Sequence, residues 1–142
     1  METIPIKIGP KTRYIISTSG RLSSLQRYQR LLQEILQINV AYIPIDAGNG
    51  NDHIDPQKYA NILRSMNCIG GAISKDIKQA IIPFLDEIDI SAKEVNSVNT
   101  VIVKDDKLKG YNTDALGFEA AIVKGLEGSI FGSCVHSFVL IT

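Results

Sequence analysis

The 142-residue sequence predicts an α/β fold, a mostly parallel mixed sheet flanked by helices. Three observations carry that expectation. Short β-branched or apolar runs at 12–18, 40–46 and 68–74 read as strands. Between them apolar residues recur every three or four positions, the spacing of helices that bury one face, and strands alternating with helices form crossover units of a parallel sheet. Late in the chain, runs at 98–103 and 107–112 are joined only by the turn "KDDK", which adds one antiparallel pair.

The elements follow in order. "TRYIIST" is the first strand. Leu22, Leu25, Tyr28, Leu31, Leu32, Ile35 and Leu36 then share one helical face, and Ser23 with Gln26 three residues on predicts a capping box at its start. "VAYIPID" is the second strand, and "AGNGND" a loop rich in turn residues. Asp55 followed by Pro56 reads as an N-cap and a first-turn proline, with Tyr59, Ile62, Leu63 and Met66 as the buried stripe of the helix. "CIGGAIS" is a short buried strand. Residues 77–88 again have helical spacing, and Pro83 predicts their division into two short helices. Ser91 and Glu94 suggest another capping box, and a helix is expected from about 114 to 124, ending at Gly125.

Charge and composition narrow the function. The 15 basic and 15 acidic residues cancel and are scattered, which gives no support to a nucleic-acid partner. Cys68 and Cys134 lack the paired spacing of a zinc site, so two reduced, half-buried thiols are expected and no metal. No run approaches a membrane span, and the opening "METIPIKIGPKTR" has no apolar core of signal-peptide length. A cytoplasmic protein without a membrane partner is the expectation.

The stretch "SVNTVIVKDDKLKGYNTDALGF", residues 97–118, carries the chemistry. Each arm of its hairpin holds an Asn-Thr pair, and the second ends in Asp114. An asparagine amide offers a donor and an acceptor on one rigid group, suited to neighbouring hydroxyls. Taken singly, the residues have plain structural roles: Lys78 as a solvated charge, Asp114 and Ser23 as N-caps, Asn99 at a strand end and Thr113 as a loop brace. Together, "SKDIKQAIIPFLDE", "SVNTVIV" and "GYNTDALGF" resemble the substrate-binding, catalytic N-terminal domain of the shikimate dehydrogenase family. The resemblance covers most of 12–128, strongest from Lys78 to Phe118.

The resemblance implies specific roles. Lys78 falls on the family's catalytic lysine and Asp114 on its catalytic aspartate, while Ser23, Ser74, Asn99 and Asp114 fall on substrate-binding positions. It also implies the NADPH-dependent reduction of 3-dehydroshikimate to shikimate, a step of aromatic amino acid biosynthesis. Residues 1–128 are expected to form the substrate-binding catalytic domain, and 129–142 a tail opening on the first strand of a nucleotide-binding domain. NADP is the cofactor expected for the family. No glycine fingerprint follows "HSFVLIT", so the NADP-binding Rossmann domain is missing from the 142 residues, which are expected to bind no cofactor and to lack turnover alone.

Departures from the family pattern keep alternatives open. Ala72 and Asp76 replace an asparagine and a proline, Ser74 replaces a threonine, and Leu25 and Gln26 stand where the carboxylate-binding serine and its proline are expected. A non-enzymatic binding or regulatory relative is therefore one alternative, and a relative acting on quinate or another cyclic hydroxy acid a second. A homodimer is left open.

Overall fold

A computed structural model describes residues 5–18, 22–45, 54–74 and 77–114. The expected loop at 47–52, the helix after Asp114, the tail, Cys134, His53 and His136 lie outside the described residues.

Among the described residues six strands form one mixed sheet. β1 (Arg13–Ser17) pairs in parallel with β2 (Val40–Pro44) on one side and β3 (Cys68–Ala72) on the other. β5 (Thr100–Lys104) runs antiparallel to β3, and β6 (Lys107–Tyr111) antiparallel to β5. A two-residue edge strand, β4 (Glu87–Ile88), pairs in parallel with β6, giving the order β2-β1-β3-β5-β6-β4. In the β5–β6 turn Asp105 and Asp106 both have positive φ, 51° and 61°, the backbone of a tight hairpin turn that matches strand twist.

Successive strand residues face opposite sides, and the two cores follow from this alternation. Ile15 packs on one face with Leu32, Val40 and Tyr42, beneath α1 (Leu22–Gln29) and the π-helix Arg30–Ile35. Ile16 packs on the other with Tyr59, Leu63, Val98, Val101 and Leu108, beneath α2 (Pro56–Ser65). Asp55 caps α2 as expected, its carboxylate accepting from the amides of Gln57 at 2.9 Å and Lys58 at 3.4 Å. Tyr59 is fully buried and donates its hydroxyl to the Ile16 carbonyl at 2.7 Å, so the burial leaves no polar group unpaired. Glycine is required opposite: a Cβ on Gly71 would collide with that hydroxyl.

Four local expectations are corrected. Helix α1 begins at Leu22, so Ser23 lies inside the first turn and is not the N-cap. The apolar stripe beyond Gln29 enters the widened π-helix, where Leu36 N–H reaches the Leu31 carbonyl and Ile35 and Leu36 end exposed. Residues 77–88 form turns, the 3-10 helix Ile82–Phe84 and strand β4; Pro83 fits the first turn of that short helix and divides no longer one. The cap of α3 (Ile90–Lys93) is Asp89, which accepts from Ser91 N–H at 3.1 Å, while the buried Ser91 hydroxyl is spent on the Asn112 amide. Cys68 is also more buried than expected, 2% exposed, and burial pushes its thiol up to about 11, which keeps it protonated at neutral pH. No helix of the described residues is long and apolar enough to cross a membrane.

Candidate active site

The C-terminal ends of β1, β3 and β6 and the start of β5 share one edge of the sheet, the edge where open α/β sheets present ligand sites. Each polar residue there is placed by a strand end. Asn99 precedes β5; its N–H donates to the Tyr111 carbonyl at 3.1 Å, and its carbonyl accepts from Ile73 N–H at 2.8 Å. Its side chain is held as firmly. Oδ1 accepts from Thr113 N–H at 3.0 Å and from the Thr100 hydroxyl at 2.9 Å, and Nδ2 donates to Thr113 Oγ1 at 2.9 Å. Those bonds fill the acceptor and use one amide hydrogen, so a second hydrogen remains to donate to a ligand.

The two Asn-Thr pairs thus differ in role. Asn112 is buried and faces inward, its N–H on Ser91 Oγ at 3.1 Å and its Nδ2 on the Ser97 carbonyl at 2.9 Å. It fixes the strand end from which Thr113 and Asp114 leave. Thr113, only 3% exposed, braces the loop against Asn99.

Lys78 and Asp114 converge beside them. Nζ lies 3.5 Å from Asp114 Oδ2, with the lysine side chain 27% and the aspartate 54% exposed. The Lys78 carbonyl accepts from Val98 N–H at 2.8 Å, which ties the residue to the strand leading to Asn99. A half-buried ammonium next to a solvated carboxylate can donate a proton to an oxygen while the carboxylate holds it in place. At the β3 end, Ser74 Oγ lies 3.0 Å from Thr18 Oγ1, and Ser74 N–H donates to Thr18 Oγ1 at 2.8 Å. Thr18 carries no signal in the sequence; strand register places it, since Ser17 pairs with Ala72 and the residue after β1 meets the residues after β3.

Lys78, Asn99 and Asp114 therefore meet on one rim, with Ser74 joined to it through Ile73. Ser23 is placed only as backbone, in the first turn of α1. A concavity of about 400 Å³ lies elsewhere, lined by Arg13, Ile69, Gly70, Ile102 and Lys104, and neither Lys78 nor Asp114 borders it. The converging polar groups, and not this concavity, mark the candidate site. Among the described residues no group of three or more His, Cys, Asp or Glu side chains could hold a metal.

No protein-family model matches the chain. Individual proteins do. It is 37% identical over 108 residues to the NADP(+) shikimate dehydrogenase of Halothermothrix orenii, covering 69% of this chain and 35% of that protein. A solved structure of a shikimate 5-dehydrogenase-like protein superposes with a TM-score of 0.71 at 30% identity, over 83% of this chain and 42% of that one. The chain belongs to the shikimate dehydrogenase family. A third family member, the Listeria monocytogenes shikimate 5-dehydrogenase solved with shikimate and NAD, superposes with a TM-score of 0.69 at 27% identity, over 86% and 42% of the two chains. The chain spans about a third of the length of the first curated shikimate dehydrogenases it matches, 35% of each.

Those relatives are NADP enzymes by name. The residues described here do not fit a dinucleotide. Gly70 and Gly71 lie within β3, where an added Cβ on either would press on the Val101 carbonyl or the Tyr59 hydroxyl, so they serve close packing. A phosphate cradle needs glycines in a strand-to-helix turn, and the described residues contain none.

Proposed function

We propose that residues 1–128 form the substrate-binding and catalytic domain of a shikimate dehydrogenase, acting on 3-dehydroshikimate and shikimate, with 129–142 leading toward a nucleotide-binding domain. The observation that carries this reading is the Lys78–Asp114 pair, 3.5 Å apart and next to the clamped amide of Asn99. When the C3 carbonyl becomes an alcohol, its oxygen gains charge and then a proton. Lys78 supplies both the positive charge and the proton, Asp114 orients Lys78 and accepts from a ring hydroxyl, and the remaining Nδ2 hydrogen of Asn99 donates to the neighbouring one. Ser74, and Ser23 on α1, serve the carboxylate end. NADP is the cofactor of the whole protein in this reading, held outside the residues described here, and cytoplasm is the compartment.

A binding module without turnover is the second reading, favoured by Leu25 and Ala72 at positions where the family pattern places polar groups. One experiment tests what both share: an NMR titration of the chain with shikimate, quinate and a cyclohexene carboxylate lacking hydroxyls, followed on side-chain amides. Shikimate is expected to shift the Asn99 amide while the bare ring does not. No response to any of the three at millimolar concentration would remove both readings. If shikimate binds, Lys78→Met in the complete protein separates them, since only the enzyme has NADPH-dependent turnover to lose.

A further inference from the structure

We propose that Thr18 is a specificity residue of the site, presenting its hydroxyl proton to the carboxylate of the bound ring acid; this rests on the shikimate-binding reading of the rim. Thr18 is half-buried one residue past β1, and its backbone N–H is already paired with the Ala72 carbonyl at 3.0 Å. Its side chain is matched to Ser74. Thr18 Oγ1 accepts from Ser74 N–H at 2.8 Å and lies 3.0 Å from Ser74 Oγ, where either oxygen can be the donor.

A hydroxyl has two lone pairs and one hydrogen. With Ser74 as donor in the mutual bond, both lone pairs of Thr18 Oγ1 are filled, one by Ser74 N–H and one by Ser74 O–H. Its own hydrogen is then left to point away from the pair. The only bond given up is the long one from Ser74 Oγ to the Thr18 carbonyl, 3.4 Å. In that state Thr18 can donate and cannot accept. Two donors aimed at one oxygen also polarise it, which strengthens the bond it gives.

Such a donor-only group selects its partner. A ring hydroxyl can satisfy it but gains nothing as a donor there, whereas an ionised carboxylate accepts only and forms the stronger, charge-assisted bond. The opposite end of the rim is mixed in character, with the Lys78 ammonium, the Asp114 carboxylate and the Asn99 amide hydrogen, and suits hydroxyls and a carbonyl. A cyclic hydroxy acid thus has one orientation that matches both ends. Thr18 supplies the hydroxyl contact that Leu25 cannot.

The test is an NMR titration of the 142-residue chain with shikimate and with the matching cyclohexene triol that lacks the carboxylate. Thr18→Val keeps the shape and removes the O–H; shikimate affinity is expected to fall by about tenfold or more, the scale of one hydrogen bond to a charged group. Triol affinity should not change, and Thr18→Ser should restore shikimate binding. Thr18→Ala, smaller and free of any clash, should repeat the loss if the valine variant fails to fold. Unchanged shikimate affinity in the folded hydroxyl-free variants would overturn the assignment while leaving the shikimate reading intact. Equal weakening of both ligands would also overturn it, by showing a merely structural role. A wild-type chain that takes up neither ligand would bring down the reading of the rim, and this inference with it.

Discussion

The two ends of the rim are built on different terms. At the β5–β6 end Asn99 is clamped by three side-chain hydrogen bonds and two backbone ones, and its neighbours Thr100, Asn112 and Thr113 are buried. At the β1–β3 end two half-buried hydroxyls hold one another, and among the described residues neither bonds a further side chain. The first end holds Asn99 and Asp114 of the resemblance; the second holds two of its departures, Ala72 and Ser74. A network in which each member completes another tolerates little replacement, because any loss leaves a buried group unpaired. A pair of hydroxyls near solvent can be exchanged for another pair at small cost. In the proposed reading, the rigid end would carry the reaction and the adaptable end the choice of substrate.

The contrast can be broken most directly at Asn99. Asn99→Leu would strand Thr113 N–H and leave the Thr100 and Thr113 hydroxyls without their partner, a loss of about 3 kcal/mol for buried groups left unsatisfied. Urea unfolding measures it. A loss below about 0.5 kcal/mol, the level of a neutral surface change, would show that the clamp does not set the order of this end. Ser74→Ala at the other end should cost about 1 kcal/mol, since one ordinary hydrogen bond goes while Ser74 N–H keeps its acceptor. Equal costs at the two positions would erase the distinction between them.

Lys78→Met probes the rigid end without touching its network. The ion pair is partly exposed and spans 3.5 Å, so solvent screens it and its removal should change stability by no more than about 0.5 kcal/mol. If the proposed reading holds, shikimate binding should nonetheless weaken, because the ammonium it assigns to the ring oxygen is gone. A stability loss as large as that of Asn99→Leu would make Lys78 a structural residue.

How much of this was legible in the sequence follows the same division. The strands and α2 were, because β-branched runs, the Asp55-Pro56 start and the apolar spacing each encode a local preference that burial reinforces. Residues 77–88 were not: their helical spacing is real, but Pro83 and the two-residue pairing of Glu87 and Ile88 with β6 outweigh it, and edge pairing is a tertiary fact. The cap of α3 failed for a similar reason. Ser91 has the right local chemistry, but its hydroxyl is claimed by Asn112, 21 residues away, and Asp89 takes over. At the site, Lys78, Asn99 and Asp114 were named by the family resemblance, and the fold brings the three to one rim. That Thr18 meets Ser74 could not be read from the sequence, because the contact depends on the parallel register of β1 with β3 across 56 residues.

The smallest expected effect concerns the far side of β6, where two carboxylates anchor backbone without belonging to the rim. Asp86 accepts from Leu108 N–H at 2.7 Å and from Arg64 at 3.1 Å, and these bonds hold its carboxyl below the ordinary carboxylate value, the Leu108 amide contributing most. Asp89 is lowered likewise, chiefly by Ser91 N–H at the start of α3. A carboxyl whose pKa is lower folded than unfolded adds stability that is fully present above the unfolded value and disappears as pH falls through the folded one. Both groups should therefore leave stability flat from neutral pH down to about pH 5 and erode it below the ordinary value of 3.8. Asp86→Asn should be less stable than wild type at pH 7, and the gap should narrow as pH falls from 3.8 through the lower folded value, where the wild-type carboxyl also becomes neutral. Urea midpoints at pH 7, 5 and 3 measure the gap. If wild type and variant lose stability in parallel, the acid sensitivity lies in other carboxylates, and the anchor at Asp86 contributes nothing to the firmness of the β6 end.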